Sequence, residues 1–119
     1  MSTPFETQRI ISVEPNDLII NWVEGFLTDC QARNLSPTTI RFYRIKLSVF
    51  LKYLNARQVF TINEITPVLL REFLLKLEDS AHNPGGIHAY FRTLKAFLRW
   101  YQFENDLINW SNPIRKIKA

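Results

Sequence analysis

One stretch of sequence decides the fold: residues 36–54 read SPTTIRFYRIKLSVFLKYL. Ser36 followed by Pro37 is typical of a helix start, because the serine side chain accepts a backbone hydrogen bond and proline suits the first helical position. Apolar residues then recur at helical spacing, namely Ile40, Tyr43, Leu47, Phe50, Leu51 and Leu54. This stretch therefore predicts an amphipathic helix with one broad buried face.

Three further helices are predicted around this one. The first opens at residues 14–17, where acidic side chains suit a helix N-terminus, and residues 33–35 end it. The third begins at Thr66-Pro67 and ends near residue 79. The fourth follows the break at residues 83–86 and runs from about residue 85 to 103.

The composition agrees with a helical domain. The chain has 119 residues, of which 46% are hydrophobic and 13% aromatic, and it contains only three glycines. A domain of this length buries enough surface to need no disulfide, and the single cysteine, Cys30, falls on the apolar face of the first helix. Tyr43, Tyr90 and Tyr101 also fall on apolar faces and are expected in the core. We therefore expect an all-α fold, an orthogonal bundle of four to five helices.

The sequence gives no sign of a membrane span or an export signal. It contains no run of about 18 apolar residues, which a membrane-spanning helix requires. The first nine residues lack the apolar core of a signal peptide. We expect a cytoplasmic protein with no membrane partner.

A search for catalytic or metal-binding patterns finds none that is complete. His82, predicted to lie in an exposed loop, and His88 have no cysteine or acid at metal-ligand spacing. Gly85-Gly86 lacks the rest of a phosphate-binding loop and is interpreted as a turn, although its amides at a helix N-terminus could hold one phosphate. We expect no catalytic residue, metal, cofactor or small-molecule substrate.

Positive charge is concentrated in parts of the chain. The net charge is +4, yet residues 36–60 contain five cations and no acid, and residues 113–119 add three more cations. Residues 14–35 and 61–80 are acidic overall. Such segregation favours a polyanionic partner that approaches from one side.

The cations of two helices fall along one edge of each. Counted at 100° per residue from Ile40, one edge lies between about 40° and 120°. This edge, called the Arg41 edge below, consists of Arg41, Arg44, Ser48 and Lys52, whereas Lys46 points elsewhere. The second, the Arg92 edge, consists of His88, Arg92, Lys95 and Arg99. Each edge alone could be an ordinary solvated face, but the second helix has no acid with which its cations could pair.

Three motifs in order carry a family resemblance. The first is SP-x-T-x3-Y-x3-L-x2-FL at residues 36–51. The second joins NP-x2-I at residues 83–87 to LK-x-F-x-RW at residues 94–100, and the third joins NP at 112–113 to IK at 117–118. Together they resemble the N-terminal core-binding, SAM-like domain of tyrosine recombinases, the phage-integrase family, over about residues 14–119.

The resemblance implies half of a C-shaped clamp around duplex DNA, facing the DNA with its second and fourth helices. With the charge pattern, it implies these DNA-binding residues: Thr38, Thr39, Arg41, Arg44, Ser48, Lys52, His88, Arg92, Lys95 and Arg99. Other recombinase protomers are the expected protein partners. Catalysis in the family belongs to a C-terminal domain, so this chain would serve DNA integration and recombination without catalysing either.

The resemblance also implies a division of the chain. Residues 1–13 are expected to be a flexible tail without a separate arm-binding domain, residues 14–112 the core-binding domain, and residues 113–119 the start of a linker to the catalytic domain. The sequence departs from the family at Gly86, where the family often has threonine, and at Ala89 and Tyr90, where it often has a basic residue.

A second function remains open. Val68 and Leu75 lie on the side of the third helix opposite its core face, and exposed apolar residues are unusual on a solvated helix. These two residues favour a helical protein–protein interaction module without DNA affinity.

Overall fold

The structure is a computed structural model that describes residues 18–80 and 82–118. Four α-helices follow one another: α1 (Ile19–Ala32), α2 (Pro37–Ala56), α3 (Pro67–Asp79) and α4 (Pro84–Glu104). Two short 3₁₀ helices, Ile62–Glu64 and Pro113–Lys116, precede α3 and follow α4. The described residues form no strand, although Leu18 and Thr61 make one isolated bridge. The all-α class and the four-helix count are as the sequence predicts.

The starts predicted at Ser36-Pro37 and Thr66-Pro67 are confirmed, whereas Gly85-Gly86, interpreted as a turn from sequence, lies in the first turn of α4. All three of these helices have side-chain caps. In each, a side-chain oxygen accepts a hydrogen bond from the backbone N–H three residues on, and a proline follows: Ser36 from Thr39 at 3.1 Å, Thr66 from Leu69 at 3.1 Å, and Asn83 from Gly86 at 2.7 Å. The start predicted for the first helix, at residues 14–17, lies outside the described residues. Within them, α1 begins at Ile19, after the extended backbone of Leu18.

Each helix contributes one fully buried phenylalanine to a common core. Phe26 of α1 and Phe97 of α4 meet with their ring centroids 5.7 Å apart, and Phe50 of α2 and Phe73 of α3 meet at 5.0 Å. None of the four is more than 1% exposed. Edge-to-face pairs of this kind add to the free energy gained by burying the rings. The bundle is therefore held by contacts between all four helices.

The cysteine and the three tyrosines expected in the core from sequence lie there, Tyr43 only in part. Cys30 is fully buried, and this burial raises the pKa of its thiol, which stays protonated. Tyr90 and Tyr101 are buried, whereas Tyr43 is half-buried against the ring of Phe26 at 5.4 Å.

The C-terminal segment, residues 112–118, packs on the bundle. Asn112 is buried, donates from Nδ2 to the carbonyl of Leu98 at 3.2 Å, and accepts from the N–H of Ile114 at 3.1 Å. A guanidinium N–H of Arg71 on α3 donates to the carbonyl of Lys116 at 3.2 Å. The residues expected to begin a linker thus remain attached to α3 and α4 as far as the described chain extends.

We expect Asn112→Ala to lower the free energy of unfolding by about 1–3 kcal/mol, because the substitution leaves the buried N–H of Ile114 without its acceptor and removes the bond to the carbonyl of Leu98. Thermal or urea unfolding followed by circular dichroism measures the change. The exposed Asn109→Ala is the matched control and is expected to stay within about 0.5 kcal/mol of the unsubstituted protein. Equal effects of the two substitutions would show that Asn112 does not hold the segment.

Candidate nucleic-acid interface

The Arg41 edge is on the surface of α2. All four of its members, Arg41, Arg44, Ser48 and Lys52, are exposed. They follow one another at spacings of three or four residues, so they form a continuous strip along about three turns of the helix. The strip offers three cations and one neutral hydroxyl donor.

One cation of this edge has an acidic partner that the sequence of α2 does not reveal. The guanidinium of Arg44 lies 3.2 Å from a carboxylate oxygen of Glu24 on α1. The premise that the cations of the second helix lack carboxylate partners is therefore wrong for Arg44. Both side chains are more than half exposed. A pair this exposed contributes little to stability, so a phosphate can displace Glu24 at small cost.

The two threonines at the start of α2 differ in their surroundings. Thr38 is exposed, whereas Thr39 is half-buried and its hydroxyl oxygen accepts a hydrogen bond from the hydroxyl of Ser36 at 2.9 Å. The hydroxyl hydrogen of Thr39 is still available for a phosphate oxygen. Both residues lie at the N-terminus of α2, where the helix dipole favours an anion.

The Arg92 edge forms a similar strip on α4. His88, Arg92 and Arg99 are exposed, and Lys95 is half-buried with its Nζ 5.8 Å from the ring centroid of Phe91. None of the ion pairs within the described residues involves a member of this edge. The strip therefore presents cations that have no competing carboxylate within the described structure.

Lys46, which points away from the Arg41 edge, contacts two aromatic rings. Its Nζ lies 4.8 Å from the ring centroid of Phe42 and 4.7 Å from that of Tyr90 on α4. Cation–π contacts with both rings hold it where α2 meets α4. The Phe42 contact could be predicted from the i, i+4 spacing, but the Tyr90 contact depends on the packing of the two helices.

His82 does not lie in an exposed loop, contrary to expectation. It is half-buried, its ring packs edge-on against Tyr90 at 5.7 Å, and its Nδ1 lies 3.1 Å from the carbonyl oxygen of Leu77. A carbonyl oxygen only accepts, so Nδ1 carries the hydrogen. His82 thus connects the end of α3 to α4 by one hydrogen bond and one ring contact.

The start of α4 offers less to a phosphate than its sequence suggests. The N–H of Gly86 is already hydrogen-bonded to Asn83 Oδ1 at 2.7 Å. Ala89 and Tyr90, where the family often has basic residues, are both buried. The exposed cations of α4 therefore begin one turn later, at Arg92.

Other kinds of site are not formed by the described residues. No group of three or more histidine, cysteine or acidic side chains stands close enough to hold a metal ion within residues 18–80 and 82–118. Burial raises the pKa of the Tyr53 and Tyr90 hydroxyls, which therefore stay protonated, as is typical of packed rather than activated tyrosines. Among the helices that the structure describes, none is long and apolar enough to cross a membrane.

Comparison with known families agrees with the all-α fold. Residues 23–100, more than half of the chain, match the family described as phage integrase, N-terminal SAM-like domain. The chain belongs to this family. The match runs from residue 23 in α1 to residue 100 in α4 and so includes both basic edges. Comparisons with curated proteins and with solved structures found no match. The matched SAM-like domain by itself is non-catalytic.

Proposed function

We propose that this integrase N-terminal domain is the DNA-binding module of a site-specific tyrosine recombinase. The observation that carries the proposal is the Arg92 edge, in which the exposed Arg92 and Arg99 and the half-buried Lys95 follow one strip of α4 and none is ion-paired within the described residues. The Arg41 edge adds three more cations on α2. Like charges aligned on a helix repel one another, and the phosphates of a nucleic acid remove that repulsion.

The named side chains divide into two roles. The arginines and lysines of the two edges would neutralise phosphates, while Thr38, Thr39 and Ser48 would donate neutral hydrogen bonds to them. Arg41, Arg92 or Lys95 would reach base edges in the major groove, where a guanidinium pairs with guanine. His88, near the start of α4, would add one more contact to a phosphate.

The module would clamp the duplex at the core recombination site together with a C-terminal catalytic domain. That domain would perform the strand cleavage and joining needed for DNA integration and recombination, inside the cell. Other protomers bound to the same DNA would be its protein partners. Family membership supports this assignment, since the matched domain is the N-terminal part of phage integrases.

Fluorescence anisotropy of a labelled random 30-base-pair duplex tests the proposal. If about five cations neutralise phosphates, the logarithm of the association constant falls with the logarithm of salt concentration at a slope of about −4 to −5. Titrations between about 50 and 200 mM salt should therefore lose about 300- to 1,000-fold in affinity. A slope near zero, or no binding at the lowest salt concentration, would contradict the proposal.

A second candidate function rests on a different surface. Val68 and Leu75 on α3 are 58% and 59% exposed, as the sequence predicts. A helical protein–protein interaction module would use these side chains and would bind its partner with little dependence on salt. Salt-independent self-association without DNA affinity would favour this candidate.

A further inference from the structure

A groove with an apolar floor lies between α3, the start of α4 and the C-terminal segment. Its volume is about 680 Å³, and Leu74, Ile87, Phe91 and Ile117 line its floor. The exposed Leu75 stands at its border, and Val68 lies two turns earlier on the same face of α3. An apolar groove bordered by exposed apolar side chains is typical of a surface that binds another chain.

The rim of the groove is basic. Arg71, Lys116 and Lys118 line it and are exposed, and Glu78 is the one acid among its lining residues. None of the three cations belongs to an ion pair within the described residues. The chemistry of the groove therefore suits apolar side chains that are flanked by acids.

Such a segment exists at the other end of α4. In the 103–108 turn, Phe103 is 82% exposed and Ile108 is 88% exposed, the two most exposed large apolar residues of the described chain. Glu104 and Asp106 stand between them and are exposed. The turn thus presents two apolar side chains and two negative charges to a groove with an apolar floor and a basic rim.

The 103–108 turn has a fixed conformation. The N–H of Asp106 donates to the carbonyl of Phe103 at 3.2 Å, and the N–H of Leu107 donates to the carbonyl of Gln102 at 3.1 Å. Asp106 adopts a φ of 51°, so the turn is a Schellman motif that ends α4. A third bond, from Gln102 Nε2 to the carbonyl of Leu107 at 3.1 Å, joins the turn to the helix. Little conformational entropy is lost when such a turn binds.

The turn cannot enter the groove of its own chain. The groove lies beside Ile87 in the first turn of α4, and Phe103 lies sixteen residues further along the same helix. At a rise of 1.5 Å per residue, these positions are about 24 Å apart. Only the turn of another copy can reach the groove.

We propose that the groove between α3 and α4 binds the 103–108 turn of a second copy of this chain. The inference rests on one part of the proposed function, namely that protomers contact one another on the DNA. It adds which two surfaces of the domain meet in that contact. The two surfaces differ, so copies can join head to tail into a ring or an open chain, or can pair reciprocally with each turn in the groove of the other copy. The small contact area predicts weak association, visible at high protein concentration.

Two variants that each remove one surface test the proposal. Leu75→Asn disables the groove, and Phe103→Asn with Ile108→Asn disables the turn; all three side chains are exposed, so the fold should survive. In sedimentation velocity, the unsubstituted chain should rise above its monomer mass of 14.1 kDa as concentration increases, and each variant alone should not. An equimolar mixture of the two variants should form a heterodimer and nothing larger, because one intact groove and one intact turn remain. Ile20→Asn, which changes an exposed apolar residue of α1, is the matched control and should associate as the unsubstituted chain does.

The results separate this inference from DNA binding. An unsubstituted chain that stays monomeric at every concentration, or a mixture that stays monomeric, would overturn the contact and leave the groove to another ligand. Self-association of either variant alone would also overturn it. The anisotropy titration, repeated on both variants at low protein concentration, should give unchanged DNA affinity, since neither variant alters a cation. An unsubstituted chain that binds DNA but stays monomeric would refute the contact and leave the proposed function standing.

Discussion

Replacing Arg92, Lys95 and Arg99 together with alanine is expected to remove most of the DNA affinity of the chain. Each phosphate contact contributes about 0.9 to the salt slope, so the loss of three lowers the slope by about 2.7 and the affinity about 100- to 1,000-fold near 0.1 M salt. The same anisotropy titration measures both quantities. Alanine favours helix, and Arg92 and Arg99 are exposed, so α4 should keep its helicity.

A matched variant removes the same charge from elsewhere. Arg33, Arg57 and Lys76 are exposed and lie outside both basic edges, and two of them are already paired with Asp29 at 2.8 Å and Glu72 at 2.7 Å. Their joint replacement with alanine lowers the net charge equally but should cost much less affinity. If both triple variants lose the same affinity, binding depends on net charge alone. If the Arg92 edge variant binds as before, that edge is an ordinary solvated surface.

Phe97→Ala is expected to have the largest effect on stability. Its ring is fully buried and contacts Phe26 at 5.7 Å and Trp100 at 6.4 Å, so the substitution leaves a cavity at the centre of the α1–α4 contact. Removal of a buried phenylalanine costs about 3–5 kcal/mol. For a domain of this size, that loss lowers the melting temperature by roughly 12–40 °C.

Phe103→Ala is the control for this prediction. It removes the same atoms from a side chain that is 82% exposed, so the free energy of unfolding should change by less than about 0.5 kcal/mol. Thermal unfolding at low protein concentration, followed by circular dichroism, compares the two variants. A small effect of Phe97→Ala would mean that the core does not depend on this ring.

Local sequence signals were sufficient for the helices themselves. The Ser36-Pro37 and Thr66-Pro67 pairs each cap a helix as predicted, because a capping side chain acts within three residues of its own position. The break predicted at residues 83–86 is instead the cap and first turn of α4. The exposure of Val68 and Leu75 also followed from sequence, since a helix fixes which side chains share a face. Both basic edges could be predicted for the same reason.

Contacts between distant residues could not be predicted in this way. The pairing of Arg44 with Glu24 joins residues twenty positions apart, and the contact of Lys46 with Tyr90 joins α2 to α4. The burial of His82 likewise depends on how α3 meets α4. Each of these contacts is set by the angle at which two helices pack, and helical periodicity contains no information about that angle.

The most direct test of DNA binding by α2 and α4 is a nuclear magnetic resonance titration of the isotope-labelled chain with the random duplex. At low salt, we predict that amide shifts change along the Arg41 edge and the Arg92 edge, with the largest changes near Arg41, Ser48, Arg92 and Arg99. Amides of α3 around Leu75 should change little at a concentration where the chain is monomeric. Shift changes confined to α3, or no changes at low salt, would contradict the account.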